Sequence, residues 1–335
     1  MKKLLTTLVV TILLFSCVFC FTACIAPEEI RIIVDMQKEW KSVTESQSEG
    51  YPQAGVILSS SVYNNSALVD ELYTKLSQND EYILQNPTEV DQLLTSHSST
   101  VASSTVFTKD ILARCNTNTV WAHEVYDTLS DYYTLMGTPV PSETMVTMSD
   151  NGTQTIPETI KIYVPDGAPA LAVASLMKEG ATLGGKPVSV TIGSGASVKT
   201  ALVSGQADIA ILPTTACAGL FKQGKDIRLH SVTTWGVLYL IGQEAGGLQD
   251  LVGEVVYSIG RNDTPGILLR KYLDHYDIEY VESQTPVEGK VAITYVEDAK
   301  NVIPNLKAGS VKYALLGEPA VSNVLGIRAE NNENQ

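Results

Sequence analysis

Short polar turns recur where apolar runs end, and their side chains are of the kinds that hold small ligands by hydrogen bonds. They supply hydroxyls, backbone amides and a few carboxylates. Such groups at strand ends and helix starts bind small polar molecules in open α/β sheets. The candidate ligand-binding residues in these turns are Asp166, Gly167, Ser194, Ser197, Thr214, Thr215, Thr234, Trp235, Asn262, Asp263, Thr264 and Glu318.

Each polar residue among them has an ordinary alternative role as a helix N-cap, which Ser, Thr, Asp and Asn fill routinely. A capping residue can also contact ligand, so both interpretations stay open.

The charges in these turns bear on the class of ligand. Only Arg261 is basic, whereas Asp166 and Glu318 are acidic. Sulfonate and nitrate sites favour Arg, Lys or several free helix amides. Acceptors beside aromatic rings suit a flat nitrogen heterocycle with N–H donors, which we favour over an oxyanion. The aromatic candidates are Tyr51, Tyr163, Trp235 and Trp40, with core packing as the alternative for both tryptophans.

Signals for catalysis are weak. The histidines, His97, His123, His230 and His275, are scattered, and no Ser-His-Asp order or P-loop occurs. Gly193-Ser194-Gly195 lacks the third glycine of a dinucleotide-binding loop. We expect a binding protein without metal or cofactor, not an enzyme.

The elements that position these turns alternate from residue 157 onward. Strand, turn and helix recur at a spacing typical of parallel sheets with crossover helices. Strands are predicted at 160–164, 188–192, 208–212, 227–233, 254–259, 278–281 and 313–316. Helices are predicted up to 177, 204 and 222, and at 267–275 and 296–306.

The first part of the chain is mostly helical. Strands are predicted at 32–35 and 56–58, and helices at 66–82, 87–94, 109–114 and 122–136. Residues 137–159 carry Pro139, Pro141, Gly152 and Pro157 without a periodic apolar pattern, which indicates a linker.

The start of the chain is typical of an export signal. Lys2 and Lys3 precede an uncharged apolar run that reaches Phe21-Thr22-Ala23-Cys24. A cysteine after the cleavage point resembles a bacterial lipobox, so residues 1–24 are predicted to be a lipoprotein signal peptide with Cys24 lipidated. A weaker competing site ends at Cys17, and an uncleaved transmembrane anchor is the alternative. Either interpretation places the body outside the cytoplasm, at the outer face of the cell membrane.

Charge and cysteine content exclude other classes. Net charge is −14, and without Lys2 and Lys3 it is 37 acidic against 21 basic residues, or −16. Such a surface repels phosphate backbones, so nucleic acid is not an expected partner. Beyond the leader only Cys115 and Cys217 remain, and unpaired buried thiols are favoured over one disulfide.

Several motifs in consistent spacing resemble a known family. They are 164–170 (Val-Pro-Asp-Gly-Ala-Pro-Ala), 205–211 (Gly-Gln-Ala-Asp-Ile-Ala-Ile), Thr234-Trp235-Gly236 and 317–321 (Gly-Glu-Pro-Ala-Val). They look like the first half of the substrate-binding proteins of the nitrate, sulfonate, taurine and thiamine-precursor transporters. Residues 35–40, 51–55 (Tyr-Pro-Gln-Ala-Gly) and Arg114-Cys115-Asn116 look like that family's second half.

The two halves stand in exchanged order, so the chain resembles a circular permutant joined through 137–159. The resemblance implies a two-lobed α/β periplasmic-binding-protein-like fold of type 2, with ligand trapped between the lobes. It implies crossings near 242–253 and 51–55, which adds Gln53 to the candidate site. The expected division is 25–136 (family second half), 160–242 (lobe 1), 243–326 (lobe 2) and 327–335 (disordered tail).

The resemblance implies an ABC permease and its ATPase as partners, with a small-molecule ligand. Three alternatives stay open: an enzyme related to the pyrimidine-forming synthases of this fold, a scaffold with a degenerate cleft, or a chain that swaps halves with a second copy. A gene-assembly artefact would also explain the exchanged order.

Overall fold

The strands of the protein belong to two sheets. The structure, a computed structural model, describes residues 29–44, 48, 50–100, 102, 107–148, 156–243, 246–296 and 301–325. The strands in chain order are β1 (Arg31–Asp35), β2 (Ala54–Ser59), β3 (Thr117–Trp121), β4 (Ile160–Pro165), β5 (Thr182–Leu183), β6 (Lys186–Gly193), β7 (Ile209–Pro213), β8 (Ile227–Thr234), β9 (Leu238–Gly242), β10 (Val255–Ile259), β11 (Tyr280–Glu282), β12 (Val291–Val296) and β13 (Tyr313–Gly317).

Helices cover the faces of both sheets. In chain order they are α1 (Met36–Thr44), α2 (Ser60–Tyr63), α3 (Ser66–Gln85), α4 (Pro87–Ser96), α5 (Lys109–Arg114), α6 (Tyr126–Leu135), α7 (Ala168–Leu171), α8 (Gly195–Val203), α9 (Thr214–Lys222), α10 (Thr264–His275), α11 (Ile303–Lys307) and α12 (Ala320–Leu325). Three 3₁₀ helices span Glu143–Val146, Ala174–Met177 and Leu248–Leu251.

Each sheet is the centre of one lobe. Lobe 1 has a seven-stranded sheet of order β3-β8-β2-β7-β4-β6-β5, and lobe 2 a six-stranded sheet of order β1-β9-β13-β10-β12-β11. In each sheet, one strand arrives from the other lobe and pairs antiparallel with the parallel strands beside it. This strand is β2 in lobe 1 and β9 in lobe 2. The two-lobed α/β fold expected from the sequence is confirmed.

The apolar runs of the sequence become the central strands because helices cover both of their faces. Residues 209–212 of β7 are all buried, as are all five residues of β9. Parallel strands buried on both faces read as continuous apolar segments. β6 lies near the sheet edge, and its residues alternate between half-buried and exposed.

Four strands were missed by the sequence analysis: the two-residue β5, the apolar β9, β3 and β12. β3 carries only one buried residue, Thr119, and its Thr-Asn-Thr-Val-Trp sequence lacks an apolar run. β12 occupies residues 291–296, where no strand was predicted, and the helix predicted over 296–306 is limited to Ile303–Lys307 within the described residues. The prediction was wrong there because Pro304 sits at the first turn of a helix, not in its interior.

The segment predicted as a linker is packed where it is described. Within residues 137–148, Met145 and Val146 lie in a 3₁₀ helix and are almost completely buried against the lobe 1 core. Two adjacent apolar residues are too short a pattern to indicate packing. Residues 149–155 lie outside the described part.

The first crossing lies earlier than predicted. The sequence analysis placed it near 242–253 and ended lobe 1 at residue 242, but β9 already pairs with β13 and β1 in the lobe 2 sheet. The chain therefore leaves lobe 1 after Thr234, and residues 235–237 are the crossing. The end of β8 was predicted to within one residue, but nothing local in the sequence shows that the next strand, β9, joins the other sheet.

Some predictions fall outside the described residues. These are the leader with Cys24 and the tail from residue 327. Among the helices of the described residues, none combines the length and apolarity needed to cross a bilayer.

Candidate functional site

The parallel strands of both lobes end at the crossings. β7 and β8 run antiparallel to β2, and β4 and β6 run parallel to β7, so all four end on the side where β8 leaves lobe 1. In lobe 2, Gly317 at the end of β13 pairs with Leu238 at the start of β9, and β10 and β12 run parallel to β13. The polar turns of both sheets thus face one region, as ligand sites of open α/β sheets do.

The first crossing is held by hydrogen bonds to the second crossing and to both lobes. The Gln37 side-chain oxygen accepts from Leu238 N at 2.8 Å, and the Gln53 side-chain oxygen accepts from Val237 N at 3.1 Å. Asn116 Nδ2 donates to Gly236 O at 2.8 Å. Gln53, a predicted ligand residue, therefore uses its side-chain oxygen within the protein.

Gly236 is required at the first crossing for two independent reasons. Its φ is +80°, in the left-handed region that favours glycine. A Cβ there would lie 2.6 Å from Gln37 Cγ and 2.9 Å from the Tyr51 ring. The crossing thus packs directly on the residues that precede β2.

An aromatic cluster fills the space between the lobes on one side of the crossings. Trp40 from lobe 2, Tyr51 from the second crossing and Tyr132 from α6 are completely buried, with ring centroids 5.7–5.9 Å apart. Tyr51 Oη donates to Gln37 Oε1 at 3.2 Å. Tyr51 and Trp40 therefore pack in the core, which is the alternative role that the sequence analysis gave for Trp40, and neither ring is open to ligand in this conformation.

An ion pair joins the lobes on the other side. Arg114 Nε at the end of α5 lies 2.7 Å from Glu318 Oε1 at the end of β13, and the Glu318 side chain is fully buried. Ser322 donates its hydroxyl and its backbone N–H to the same carboxylate. Glu318, predicted as a ligand acceptor, thus already has a cation and two donors.

The other acidic candidate is also engaged. Asp166 Oδ1 accepts from the Ser99 hydroxyl at 2.5 Å, and Oδ2 accepts from Thr100 N at 2.9 Å and its hydroxyl at 2.6 Å. These bonds tie the turn that begins with Asp166 and Gly167 to the segment after α4.

The hydroxyl candidates divide between capping and burial. Ser194 caps α8 by accepting from Ser197 N at 3.1 Å, which is the ordinary capping role. Thr214 is fully buried and donates to Pro52 O at 2.6 Å. Thr234 is also fully buried, and its hydroxyl has no partner among the described residues.

The remaining candidates lie at the starts of α9 and α10. Thr215 is half-buried, and Asn262 and Asp263 are exposed. Asp263 stands at the N-cap position of α10 without a side-chain capping bond. Thr264 is buried, with its hydroxyl 3.5 Å from Tyr132 Oη across the lobe boundary.

Trp235 lines a cavity of about 410 Å³ beside the crossings. Its indole N–H donates to Asn118 O at 2.8 Å, and its backbone N–H donates to Asn116 O at 3.1 Å. Tyr163 is separated from this place, since it lines a polar cavity of about 490 Å³ with Lys161 and Thr191 on the sheet face. The four aromatic candidates therefore do not share one pocket.

Titratable groups near the strand ends are paired. Arg261 Nε lies 2.5 Å from Glu282 Oε1, so the basic residue of the turns has an acidic partner.

His230 is completely buried and packs against the Trp121 ring, and burial lowers the pKa of its imidazole to about 4. Its ring nitrogens lie 3.0 Å from Ser231 Oγ and 3.1 Å from Val69 O. Among the residues that the structure describes, no three metal-ligating side chains form a group.

Several residues of this region escaped the sequence analysis as site residues. Arg114 was noted only within a motif, and Ser322, Ser99, Thr100, Tyr132 and Asn118 carried no local signal. Their partners lie far away in the chain, 204 residues for Arg114 and Glu318.

Comparisons with known proteins give partial similarities. No protein-family model matches the chain, and no curated protein matches it. An ABC transporter from Parabacteroides distasonis is 25% identical over 51% of this chain and 56% of its own, with a TM-score of 0.40. A Xanthomonas citri protein solved with a chloride ion is 16% identical, with 48% and 66% coverage and a TM-score of 0.28. The same protein solved with ATP is 14% identical, with 48% and 65% coverage and a TM-score of 0.27. The chain therefore spans less than two thirds of each of these structures.

Proposed function

We propose that this chain is an extracytoplasmic solute-binding protein of an ABC-type importer, tethered to the outer face of the membrane through lipidated Cys24. It captures a small molecule between its lobes and presents it to a permease with an attached ATPase. The observation that carries the proposal is the convergence of polar strand ends from two sheets on a double crossing. Two lobes joined by short crossings can close around a ligand by a hinge motion.

A neutral nitrogen heterocycle is proposed as ligand in preference to a sulfonate or nitrate. Arg261 in the turn after β10 and Arg114 at the end of α5 are paired with Glu282 and Glu318. An oxyanion held by either arginine would have to displace its carboxylate, whereas an uncharged ring needs only the hydroxyls and amides of the turns. Binding is proposed in place of catalysis because the sequence carries scattered histidines and neither a Ser-His-Asp order nor a P-loop.

The permuted order is part of the proposal. Ile30 and Ile32, at the start of the described chain, pack against the same lobe 2 cluster as Val324 and Leu325 at its end. Permutation requires the new ends to lie close together at the surface. A chain rearranged to run from residue 157 through 325 and then directly from 29 to 148 should therefore melt cooperatively and bind the same ligand.

A thermal-shift screen of the full chain in mild detergent tests the function. The compounds are pyrimidines, thiamine precursors, taurine, alkylsulfonates and nitrate. A ligand at a hundredfold excess over its Kd adds about 2.7 kcal/mol to the stability of the folded state, which a melting curve resolves. A heterocycle hit accompanied by compaction in small-angle scattering supports the proposal. If only an anion raises the melting point, the proposal of a neutral heterocycle as ligand is wrong. If the protein melts cooperatively and no compound raises the melting point, the proposal that it is a receptor for these compounds is wrong.

A further inference from the structure

The cavity beside the crossings lies at the end of β8, where Thr117 of β3 pairs with Thr234. It is formed by Trp235 and Gly50 from the two crossing segments together with the end of α5 and the start of β3, including Ala113, Thr117 and Asn118. Of the candidate ligand residues at the strand ends, Trp235 alone lines it. Its volume of about 410 Å³ is within the range of small-molecule pockets.

Two polar groups of this cavity have no partner. The Thr117 hydroxyl is buried without a hydrogen bond in the part of the chain that the structure describes. The side-chain amide of Asn118 likewise makes no hydrogen bond there, although its backbone oxygen holds the Trp235 indole. A buried hydroxyl without a partner is costly, so a rotation of the Thr117 side chain that turns its hydroxyl onto a molecule in the cavity is favoured.

The described residues that line the cavity carry no charge. A side-chain amide offers a donor beside an acceptor and pairs with a ring edge that carries the complementary groups. A tryptophan ring provides a surface on which flat heterocycles stack. The wall therefore suits an uncharged planar molecule better than an anion or an aliphatic one.

We propose that this cavity is a second binding site, for an uncharged planar heterocycle with a donor next to an acceptor on its edge. The ring stacks on Trp235, and the edge bonds to Asn118 and Thr117. The site shares only Trp235 with the candidate ligand residues of the proposed function and does not depend on that function.

Occupancy of this site is coupled to the angle between the lobes. Gly50 and Trp235 belong to different crossing segments and are in direct contact, since a Cβ on Gly50 would lie 2.2 Å from Trp235 O. A molecule that contacts both segments binds best in one relative placement of them. Binding here therefore stabilises one lobe angle, by linkage.

The test is a saturation-transfer NMR titration of the full chain in mild detergent. Cytosine and nicotinamide are the probes, with benzoate as a planar anion and cyclohexanol as a non-planar neutral control. Both probes are expected to bind, and the controls are not. Trp235→Leu should weaken probe binding roughly tenfold, and Trp121→Leu, which removes a half-buried tryptophan from a different cavity, should leave it unchanged. Thr117→Val should weaken it roughly fivefold.

Ala113→Phe provides the decisive variant, because Ala113 is exposed on the cavity wall and a larger side chain there fills the space without disturbing the core. Loss of probe binding in this variant with an unchanged melting point supports the site. Unchanged binding in Ala113→Phe, no probe binding at millimolar concentration, or equal binding of benzoate overturns it. A probe that is lost in Thr215→Arg but retained in Ala113→Phe binds at the strand ends, which overturns the second site and leaves the proposed function standing.

Discussion

Replacing Arg114 by methionine tests whether the Arg114–Glu318 pair holds the lobes together. The change keeps most of the side-chain length and removes the charge. Glu318 would remain fully buried, with only the two Ser322 donors to compensate its charge. Removing one partner of a buried pair costs roughly 3–5 kcal/mol because the other charge is left uncompensated.

The expected cost here is lower, about 2–3 kcal/mol. The Arg114 side chain is 26% exposed, so water screens part of the attraction, and Ser322 still donates twice. Glu318→Gln in the same background should recover part of the loss, because it removes the buried charge. Urea unfolding followed by circular dichroism measures both free energies of unfolding.

Arg261→Met is the matched control. That arginine also pairs with a glutamate, but both side chains are about half exposed, and exposed pairs contribute at most about 1 kcal/mol. A cost below 0.5 kcal/mol for Arg114→Met, or a cost equal to that of the control, would refute the buried-pair reasoning.

Alkylation of Cys115 gives an independent readout. This thiol follows Arg114, is completely buried, and has a pKa raised by burial and by the nearby Glu318 charge. Peptide mass spectrometry should show faster alkylation of Cys115 in Arg114→Met, with Cys217, buried within lobe 1, unaffected. If Cys115 is alkylated at the same rate in Arg114→Met as in the parent protein, the Arg114–Glu318 pair does not hold the lobes together.

Three further predictions concern the crossing and the pH dependence of stability. Gly236→Ala should lower the free energy of unfolding by about 2–4 kcal/mol, because Gly236 has a positive φ and an added Cβ would meet Gln37. Gly180→Ala should lower it by about 1 kcal/mol, because Gly180 has a positive φ but open space around it. Thermal or urea unfolding measures both. The pKa of His230 is about 4 in the folded protein and 6.5 in the unfolded chain, so the unfolded chain takes up a proton first as the pH falls. The contribution of the neutral imidazole to the free energy of unfolding is therefore complete above pH 6.5 and is lost as the pH falls to 4. The loss is about 3 kcal/mol, absent in His230→Gln. The contribution of Asp80 to stability changes with pH in the opposite direction, because burial raises the pKa of its carboxyl group to about 6. The stabilising contribution of Asp80 is greatest below pH 4, up to about 2 kcal/mol of it is lost as the pH rises through 6, and Asp80→Asn should abolish that loss.

These measurements separate local from long-range effects. A pH profile of His230→Gln that matches the parent protein between pH 4 and 6.5 would show that the histidine is not held neutral. A Gly236→Ala protein as stable as Gly180→Ala would show that the first crossing tolerates a side chain, against the contacts with Gln37 and Tyr51.

Local sequence patterns determined the elements that build both lobes. Apolar runs between glycine- and proline-containing turns predicted β4, β7, β8 and β13 to within two residues. In the structure Asn65 and Ser194 cap the starts of α3 and α8 with their side chains. These features depend on neighbours within a few residues, so periodicity alone reveals them.

Features with weak local signals were missed for a related reason. β3 has no apolar run because its stability comes from pairing with β8, and β9 was not assigned to lobe 2 because its partners, β1 and β13, are distant in the chain. Strand membership of such segments depends on partners elsewhere in the chain.

The tertiary structure alone decided the roles of the candidate residues. The sequence by itself determined a two-lobed α/β chain with polar groups at its strand ends. It could not show that Glu318 is neutralised by Arg114, that Asp166 is held by Ser99 and Thr100, or that Tyr51 is buried against Tyr132. Whether a polar group is open to ligand depends on its desolvation and its hydrogen-bond partners. Both are set by residues that are distant in the chain and adjacent only after folding.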